Sequence, residues 1–550
     1  MLLDSTIHKA NALVIDGNAN ARSLITSQLR EVGVGFVRSV TRLKDARIVL
    51  ENSPFDLVIC DYHFDGHEES GQDLLDELRR EQLLPYSTVF MMVTAEASYS
   101  KVAEAAEAAL DGYLVKPYTL TALAERIQAA RHRKRVLRTI FEAIEAQDFE
   151  LAANLCLERF QKRWEFWLFA ARIGAELLLR LRRHEEAKEL YEAIIAAKTV
   201  PWAKLGVARS EYAAGQLAQA RRTVENLIGE MPDHADSYDV LGRIHMDQGD
   251  LKAALETYRT ASELTPGCLL RMQRSGTLAF YIGERADALK ILERTVASGL
   301  RSKLFDLYTL VLLALMRYDK RDHKGVRHAQ DAMVRQLERA SDSRRMTRLH
   351  ETIQALIAMQ EKRSADALGH ARSLAAELKR GDADLEAASL VIAVWIRLAA
   401  ADLQLTEMED VFQSLAMRYC SSHASTGVLT AMAENNETTV QLLKSAHGKV
   451  FEIAETAMKQ SLRGNAQASV EILIQQGGQT RNAKLIDMAG SVLKRHATKI
   501  ETAEILEAEI AELQERWVKP LGSSTTRNRA SGGVALRTGG GPDEKAAPTV

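Results

Sequence analysis

The sequence predicts two architectures in series: a doubly wound α/β unit over about the first 130 residues, then an all-α helical-repeat superhelix. Three observations carry this reading. Short apolar β-rich runs (ALVID at 12–16, FDLVIC at 55–60, VFMMVT at 89–94, GYLVK at 112–116) alternate with amphipathic stretches, as parallel βαβ units require. No proline lies between Pro266 and Pro520, and that interval is rich in Ala, Leu, Glu, Arg and Lys, a composition for nearly continuous helix. Gly215, Gly249 and Gly283 recur every 34 residues, as do Ala220, Ala254 and Ala288, and Pro232 precedes Pro266 by the same interval.

Composition bounds the rest. The 550 residues are 46% hydrophobic and 27% charged, so most of the chain can fold around cores. A length near four times ~150 residues suggests three or four domains. The net charge of −2 is too balanced to mark a nucleic-acid or membrane binder by totals. It divides unevenly: residues 1–130 carry 12 basic and 19 acidic side chains, giving −7, which leaves +5 for the remainder. The most apolar stretch, Leu310 to Met316, is too short to span a bilayer. The start lacks the basic head and apolar run of a signal peptide. Cys60, Cys156, Cys268 and Cys420 form no CxxC, so neither disulfides nor zinc are expected. These features predict a cytoplasmic protein.

The repeat is clearest from Ser237 to Pro266. Two helices of about a dozen residues fit it, with Leu241, Gly242 and His245 on the packing face of the first and Ala254, Tyr258 and Ala261 on that of the second. Gly242 and Ala254 permit close approach, Gly249 turns the chain and Pro266 ends the second helix. The pattern resembles the tetratricopeptide repeat (TPR). Neighbouring copies are looser, with Ala208 in place of the small glycine in one and Gly276, Gly283 and Ala288 supporting the next. Weaker copies fall at Ala187/Tyr191, at Ala329/Met333, at 148–156 and at 462–473, extending the array to about residue 515. His245 reads as a core residue.

The β-rich segment, residues 10 to about 130, resembles the CheY-like receiver domain of bacterial two-component response regulators, a flavodoxin-like fold. Asp16 follows the first strand, Asp61 the third, Thr94 the fourth and Lys116–Pro117 the fifth, and MMVTAEA (91–97) and GYLVKPY (112–118) are close to the family's strings. In a doubly wound sheet these strand ends share one edge. The resemblance implies that Asp61 is the phosphoacceptor, a carboxylate nucleophile forming an acyl phosphate. It assigns Mg²⁺ to Asp16, Asp61 and the backbone carbonyl of His63, and the phosphoryl oxygens to Lys116 and Thr94. Tyr113 takes the aromatic switch position, and the Lys116–Pro117 bond is expected cis. One departure weakens the metal site. Gly17 stands where the family carries a second acid, leaving Asp16 or Asn18 to cover the gap. The loop at 65–75 is also long and lacks the usual proline.

The chain thus divides into a receiver (10–132), a helical connector with a first half-repeat (133–165), TPR repeats (166–300), a degenerate TPR-like array (301–518) and a Gly/Ser/Thr-rich disordered tail (519–550). The expected function is a phosphorelay response regulator. A histidine kinase or phosphotransfer protein phosphorylates Asp61, and the receiver switches the array's binding of a protein partner. No enzymatic activity is expected beyond gain and loss of its own phosphoryl group. A homodimer through the receiver's fourth-helix face is within the family's repertoire. The rival is a phosphorylation-independent pseudo-receiver and TPR scaffold. A third reading makes the basic run RHRKRVLR (131–138) a nucleic-acid contact, but no recognition helix or series of stacking aromatics accompanies it, and a solvated helix is the ordinary outcome. Gly33 and Gly35 lack the third glycine of a dinucleotide site.

Overall fold

The computed structural model describes residues 6–64, 71, 74–75, 78, 84–95, 111–197, 201–266, 268–300, 305–337, 343–380, 383–401, 405–434, 436–497 and 500–518. Most of the 65–75 loop, the end of the 91–97 string, the receiver's fourth helix and the tail 519–550 lie outside them.

The four β-rich runs become strands β1 (Asn11–Ile15), β3 (Leu57–Asp61), β4 (Val89–Thr94) and β5 (Gly112–Val115), and a further strand outside those runs, β2 (Phe36–Val40), completes a parallel sheet in the order β2-β1-β3-β4-β5. Because side chains alternate along a strand, each strand supplies both faces of the sheet. Ala12, Val14, Leu57, Ile59, Met91 and Val93 bury against helices α1 (Ala19–Glu31) and α3 (Leu120–Val136) through Ile25, Leu29, Leu123 and Ile127. Leu13, Ile15, Val58, Cys60, Phe90 and Met92 bury against α2 (Leu43–Asn52) and Leu74, Leu75 and Leu78. Asn18 caps α1, its side-chain oxygen accepting from the N–H groups of Asn20 and Ala21 at 2.9 and 3.1 Å, and Thr119 caps α3. Gly33, at φ +99°, lies just past the end of α1, and at Gly35 a Cβ would fall 2.0 Å from the His8 carbonyl oxygen. Both glycines serve the turn into β2.

Helix α3 continues to Val136, and a chain of antiparallel helix pairs begins two residues later. The first pairs are α4 (Arg138–Glu145) with α5 (Phe149–Gln161), α6 (Trp167–Arg180) with α7 (His184–Ala197), and α8 (Pro201–Ala213) with α9 (Leu217–Glu230). Then follow α10 (Ala235–Gln248) with α11 (Leu251–Leu264), α12 (Leu269–Tyr281) with α13 (Arg285–Gly299), α14 (Tyr308–Asp319) with α15 (His323–Leu337), and α16 (Arg344–Gln360) with α17 (Ser364–Glu377). All seven turns use one residue in the left-handed region: Gln147, Arg182, Gly215, Gly249, Gly283, Arg321 and Lys362. The hydrogen bonding matches from the glycine to the non-glycine turns. Asp250 N–H donates to His245 O at 2.9 Å, and Arg363 N–H to Ala358 O at 2.8 Å. At Gly242 an added Cβ would lie 2.7 Å from the Tyr258 ring, the close approach that demands a small residue.

Beyond the pairs the path changes. Helix α18 (Leu385–Ala399), almost wholly buried, lies beside α14, with Tyr308 Oη 3.2 Å from Ser389 Oγ and Arg397 paired with Asp319. After α19 (Met408–Tyr419), helix α20 (His423–Met432) returns to the ends of α10 and α12, and Arg285 pairs with Glu434 across 149 positions. Helices α21 (Glu437–Leu462), α22 (Ala466–Thr480), α23 (Ala483–His496) and α24 (Ala503–Trp517) close the chain around a separate core of Val450, Val470, Leu473, Leu485 and Ile510. Among the described residues no helix is long and apolar enough to cross a membrane.

Candidate functional site

At the carboxyl edge of the sheet the strand ends bring together the residues singled out in the sequence. Lys116, just past β5, places Nζ 2.7 Å from Asp61 Oδ2 and 3.2 Å from Asp16 Oδ2. Asp61 ends β3 and Asp16 follows β1, so one ammonium ties three loops. Asp16 is fully buried, and its Oδ1 accepts from the Asn18 N–H at 2.8 Å. Thr94 is buried at the end of β4, where its carbonyl oxygen accepts from the Lys116 N–H at 2.7 Å. The His63 N–H faces Asp61 Oδ1 at 3.4 Å. Tyr113, in β5, is half-buried against the cluster containing Leu13, Phe90 and Met92. The Lys116–Pro117 bond is cis.

Burial pushes the Asp16 carboxyl up; the Asn18 N–H opposes this, and the nearby Asp61 charge adds to it. Burial works against the Lys116 ammonium, yet its hydrogen bond to Asp61 and the charges of Asp61 and Asp16 raise its pKa. Burial, then the two carboxylates, push the Cys60 thiol well up, as for a packed, unreactive cysteine.

Gly17 leaves two carboxylates here, and among the described residues no three His, Cys, Asp or Glu side chains converge for a metal. A Cβ at Gly17 would meet the Phe64 ring at 3.6 Å and the Thr41 carbonyl at 4.0 Å, ordinary contact distances. Asn18 is committed as the cap of α1. Arg22 escaped the sequence reading. Its Nη1 donates to the Asp16 carbonyl at 2.8 Å and holds the turn after β1. Its signal was a cation one turn into the helix that follows that acid.

The basic run has a different place from the one expected. Rather than forming a wholly solvated face, the run contributes two cations, Arg133 and Lys134, that bind the opposite, amino edge of the sheet to the array. Lys134, 8% exposed, pairs with Asp111 at 2.8 Å, donates to the Tyr86 carbonyl at 2.6 Å and lies over the Phe141 ring. Arg133 donates to the Asp111 carbonyl at 3.0 Å and lies 4.6 Å from the Phe169 ring centroid. His132 meets Glu165 at 2.7 Å, Arg138 meets Glu142, and the Tyr86 ring stacks on Phe141 while its N–H donates to Glu145. Sequence pattern gave no sign of this joint, because Asp111 and Tyr86 precede β5 and β4 and meet the run only through the fold. His245 is buried as expected, its Nδ1 without a hydrogen-bond partner, and burial pulls its pKa down.

Comparison with known proteins agrees with both halves. The family model of the response regulator receiver domain matches residues 12–128, and that of the tetratricopeptide repeat matches residues 211–275. Chemotaxis protein CheY-3 of Vibrio cholerae is 32% identical over 115 residues, which are 21% of this chain and 86% of that protein. Chemotaxis protein CheY of Pseudomonas aeruginosa is 34% identical over 116 residues, 21% of this chain and 91% of its own. The crystal structure of a response regulator receiver domain protein from Clostridium thermocellum is 28% identical, covering 23% of this chain and 98% of its own, at a TM-score of 0.21. With its strand-end acids, lysine and threonine on one edge and its helix pairs behind, this chain belongs to the response regulator receiver family and carries tetratricopeptide repeats after its receiver.

Proposed function

We propose that Asp61 is the phosphoacceptor of a two-component phosphorelay, and that its phosphorylation switches the protein–protein interactions of the helical array. The observation that carries this reading is the single ammonium of Lys116 held between Asp61 and Asp16 beside the buried Thr94. A carboxylate oxygen of Asp61 attacks the phosphorus of a phosphohistidine on a kinase or phosphotransfer protein. The new P–O bond forms as the P–N bond breaks, and the imidazole departs with a proton. Lys116 then pairs with phosphoryl oxygens instead of a bare carboxylate, and the Thr94 hydroxyl donates to one of them.

Receiver chemistry runs with Mg²⁺, which would supply positive charge to offset the repulsion between carboxylate and phosphoryl group. The donor set fits that ion. Asp16 and Asp61 would supply two hard oxygen ligands, and a divalent cation would favour the ionised Asp16 that burial, with the Asp61 charge added, disfavours. His63 would add its carbonyl, with waters completing the shell in place of the acid lost at Gly17.

Asp111, Arg133, Lys134 and Phe141 give the signal a firm exit. Thr94 and Asp111 bracket β4, since Asp111 pairs with Phe90, and four residues of strand span about 13 Å. Inward movement of Thr94 and Tyr113 would shift β4 and β5 against a joint that already holds the array. The protein would act in the cytoplasm, with no chemistry beyond gain and loss of its own phosphoryl group. Pairing of two receivers belongs to the same proposal.

Gly17 favours the second reading, a phosphorylation-independent scaffold. Intact mass after incubation with acetyl phosphate separates the two, with Mg²⁺ or chelator, beside Asp61→Ala. One Mg²⁺-dependent phosphoryl group, absent in the variant, supports the switch. A folded protein that takes up none, from acetyl phosphate or from phosphorylated phosphotransfer protein, supports the scaffold.

A further inference from the structure

The end of α5 and the link into α6 read RFQKRWEFW (159–167), three cations and four aromatic rings in nine residues with no aliphatic side chain. Two of these residues, Arg163 at φ 51° and Phe166 at φ 59°, hold the left-handed backbone without being glycine. Such strain persists only where the surroundings fix it, and here they do. The Trp164 N–H donates to the Arg159 carbonyl at 3.2 Å, and the Trp167 N–H to the Trp164 carbonyl at 2.9 Å. The Arg159 side chain donates to the Glu165 carbonyl at 2.8 Å. The Arg163 guanidinium lies 4.6 Å from the Phe160 ring centroid and 4.0 Å from that of Trp167. Trp164 is the most exposed ring of the turn, at 45%, with Lys162 Nζ 4.6 Å and the Arg159 guanidinium 5.6 Å from its centroid.

The fold sets this turn against the basic run. A second Arg159 nitrogen donates to the Val136 carbonyl at 3.2 Å. His132 meets Glu165 at 2.7 Å and the Phe166 ring at 5.5 Å between centroids. Residues 131–138 and 159–167 together carry eight Lys or Arg and one acid. The stacking aromatics that the basic run lacks in sequence are thus brought to it by tertiary structure.

We propose that this turn is a binding surface for single-stranded RNA, with a base stacked on the exposed part of Trp164 and backbone phosphates on Lys162 and Arg163. A guanidinium held flat against two rings keeps its N–H edges for phosphate oxygens. Lys162 would exchange its exposed pair with Glu158, 2.6 Å, for a phosphate. Arg135 and Arg138, both exposed, add to the local positive field. Gln161, exposed in the same turn, offers both donor and acceptor to a 2′-hydroxyl, a group that DNA lacks. Other polyanions fit worse. An acidic peptide would engage the cations and leave the rings idle, a bilayer asks for aliphatic side chains that the turn does not have, and a duplex keeps its bases stacked inside. The surface is separate from the strand-end carboxylates and does not depend on the phosphorelay reading.

The test measures binding of the full chain to a fluorescent twelve-nucleotide single-stranded RNA of mixed sequence. Competitors are the same RNA as a duplex, the matching single-stranded DNA, polyglutamate, and vesicles of phosphatidylcholine with phosphatidylserine. The expected result is saturable binding that weakens about tenfold in Trp164→Ala and is largely kept in Trp164→Phe. Arg163→Gln should weaken binding as well and flatten the slope of log affinity against log salt by about 0.7, one phosphate contact. Unfolding midpoints show that the variants are folded. No binding, unchanged affinity in folded Trp164→Ala, or any competitor that displaces the labelled RNA as well as unlabelled RNA does would overturn the proposal.

Discussion

The two edges of the receiver sheet are built in opposite ways. At the carboxyl edge, two carboxylates share one lysine, a glycine stands beside them, and Asp16 is held above its ordinary pKa by burial. At the amino edge, Asp111 pairs with Lys134 and Arg133, and Tyr86 and Phe141 stack. The difference teaches how the chain divides its work. The edge proposed to accept a phosphoryl group is left electrostatically incomplete. The edge that holds the array is closely paired, so under the proposed switch a movement of β4 or β5 would be passed on to the helices rather than absorbed at the joint.

Substitutions at one edge should spare the other. The largest effect is expected from Asp61→Ala, which abolishes phosphoryl uptake by intact mass and leaves thermal unfolding of the array unchanged. Asp111→Ala comes next. It strands the buried Lys134 ammonium, and removing one partner of a buried pair costs about 3–5 kcal/mol, read as a lower urea midpoint. Phosphoryl uptake by the folded fraction should persist, while any phosphorylation-dependent change in the array is lost. Gly17→Asp sharpens the carboxyl edge. The Cβ has room against Phe64, and the added acid should tighten Mg²⁺ by on the order of tenfold, measured by titration of the full chain.

Much of the receiver was legible because each candidate site residue sits at the end of an apolar run, and strand ends in such a sheet have one destination. Asp16, Asp61, Thr94 and Lys116 needed no knowledge of the packing between them. The joint was hidden for the converse reason. Lys134 and Asp111 are far apart in sequence, on different elements, and a run of cations reads as solvated until its partners are known. The array faded after residue 300 because its marker did. Gly215, Gly249 and Gly283 announce the turn, but Arg321 and Lys362 hold the same left-handed backbone without a glycine. The geometry persists where the residue type does not.

That contrast supplies the smallest prediction, and a control for both edges. A non-glycine residue in the left-handed region costs about 1–2 kcal/mol, so Lys362→Gly should stabilise the array by about 1 kcal/mol after its extra chain entropy is counted. A raised unfolding midpoint with unaltered phosphoryl uptake is the expected result. A lowered midpoint would show that the Lys362 side chain contributes more than its backbone costs.

The central claim is that charge gained at the carboxyl edge reaches the array through the amino edge. Hydrogen exchange of the full chain tests it most directly, with and without acetyl phosphate and Mg²⁺, beside Asp61→Ala. The account predicts that phosphorylation changes exchange at Tyr86–Phe90 and across His132–Glu145, and that Asp61→Ala shows no such change. A phosphorylated protein whose exchange changes only around Asp61, Thr94 and Lys116, with 132–145 unaltered, would contradict it.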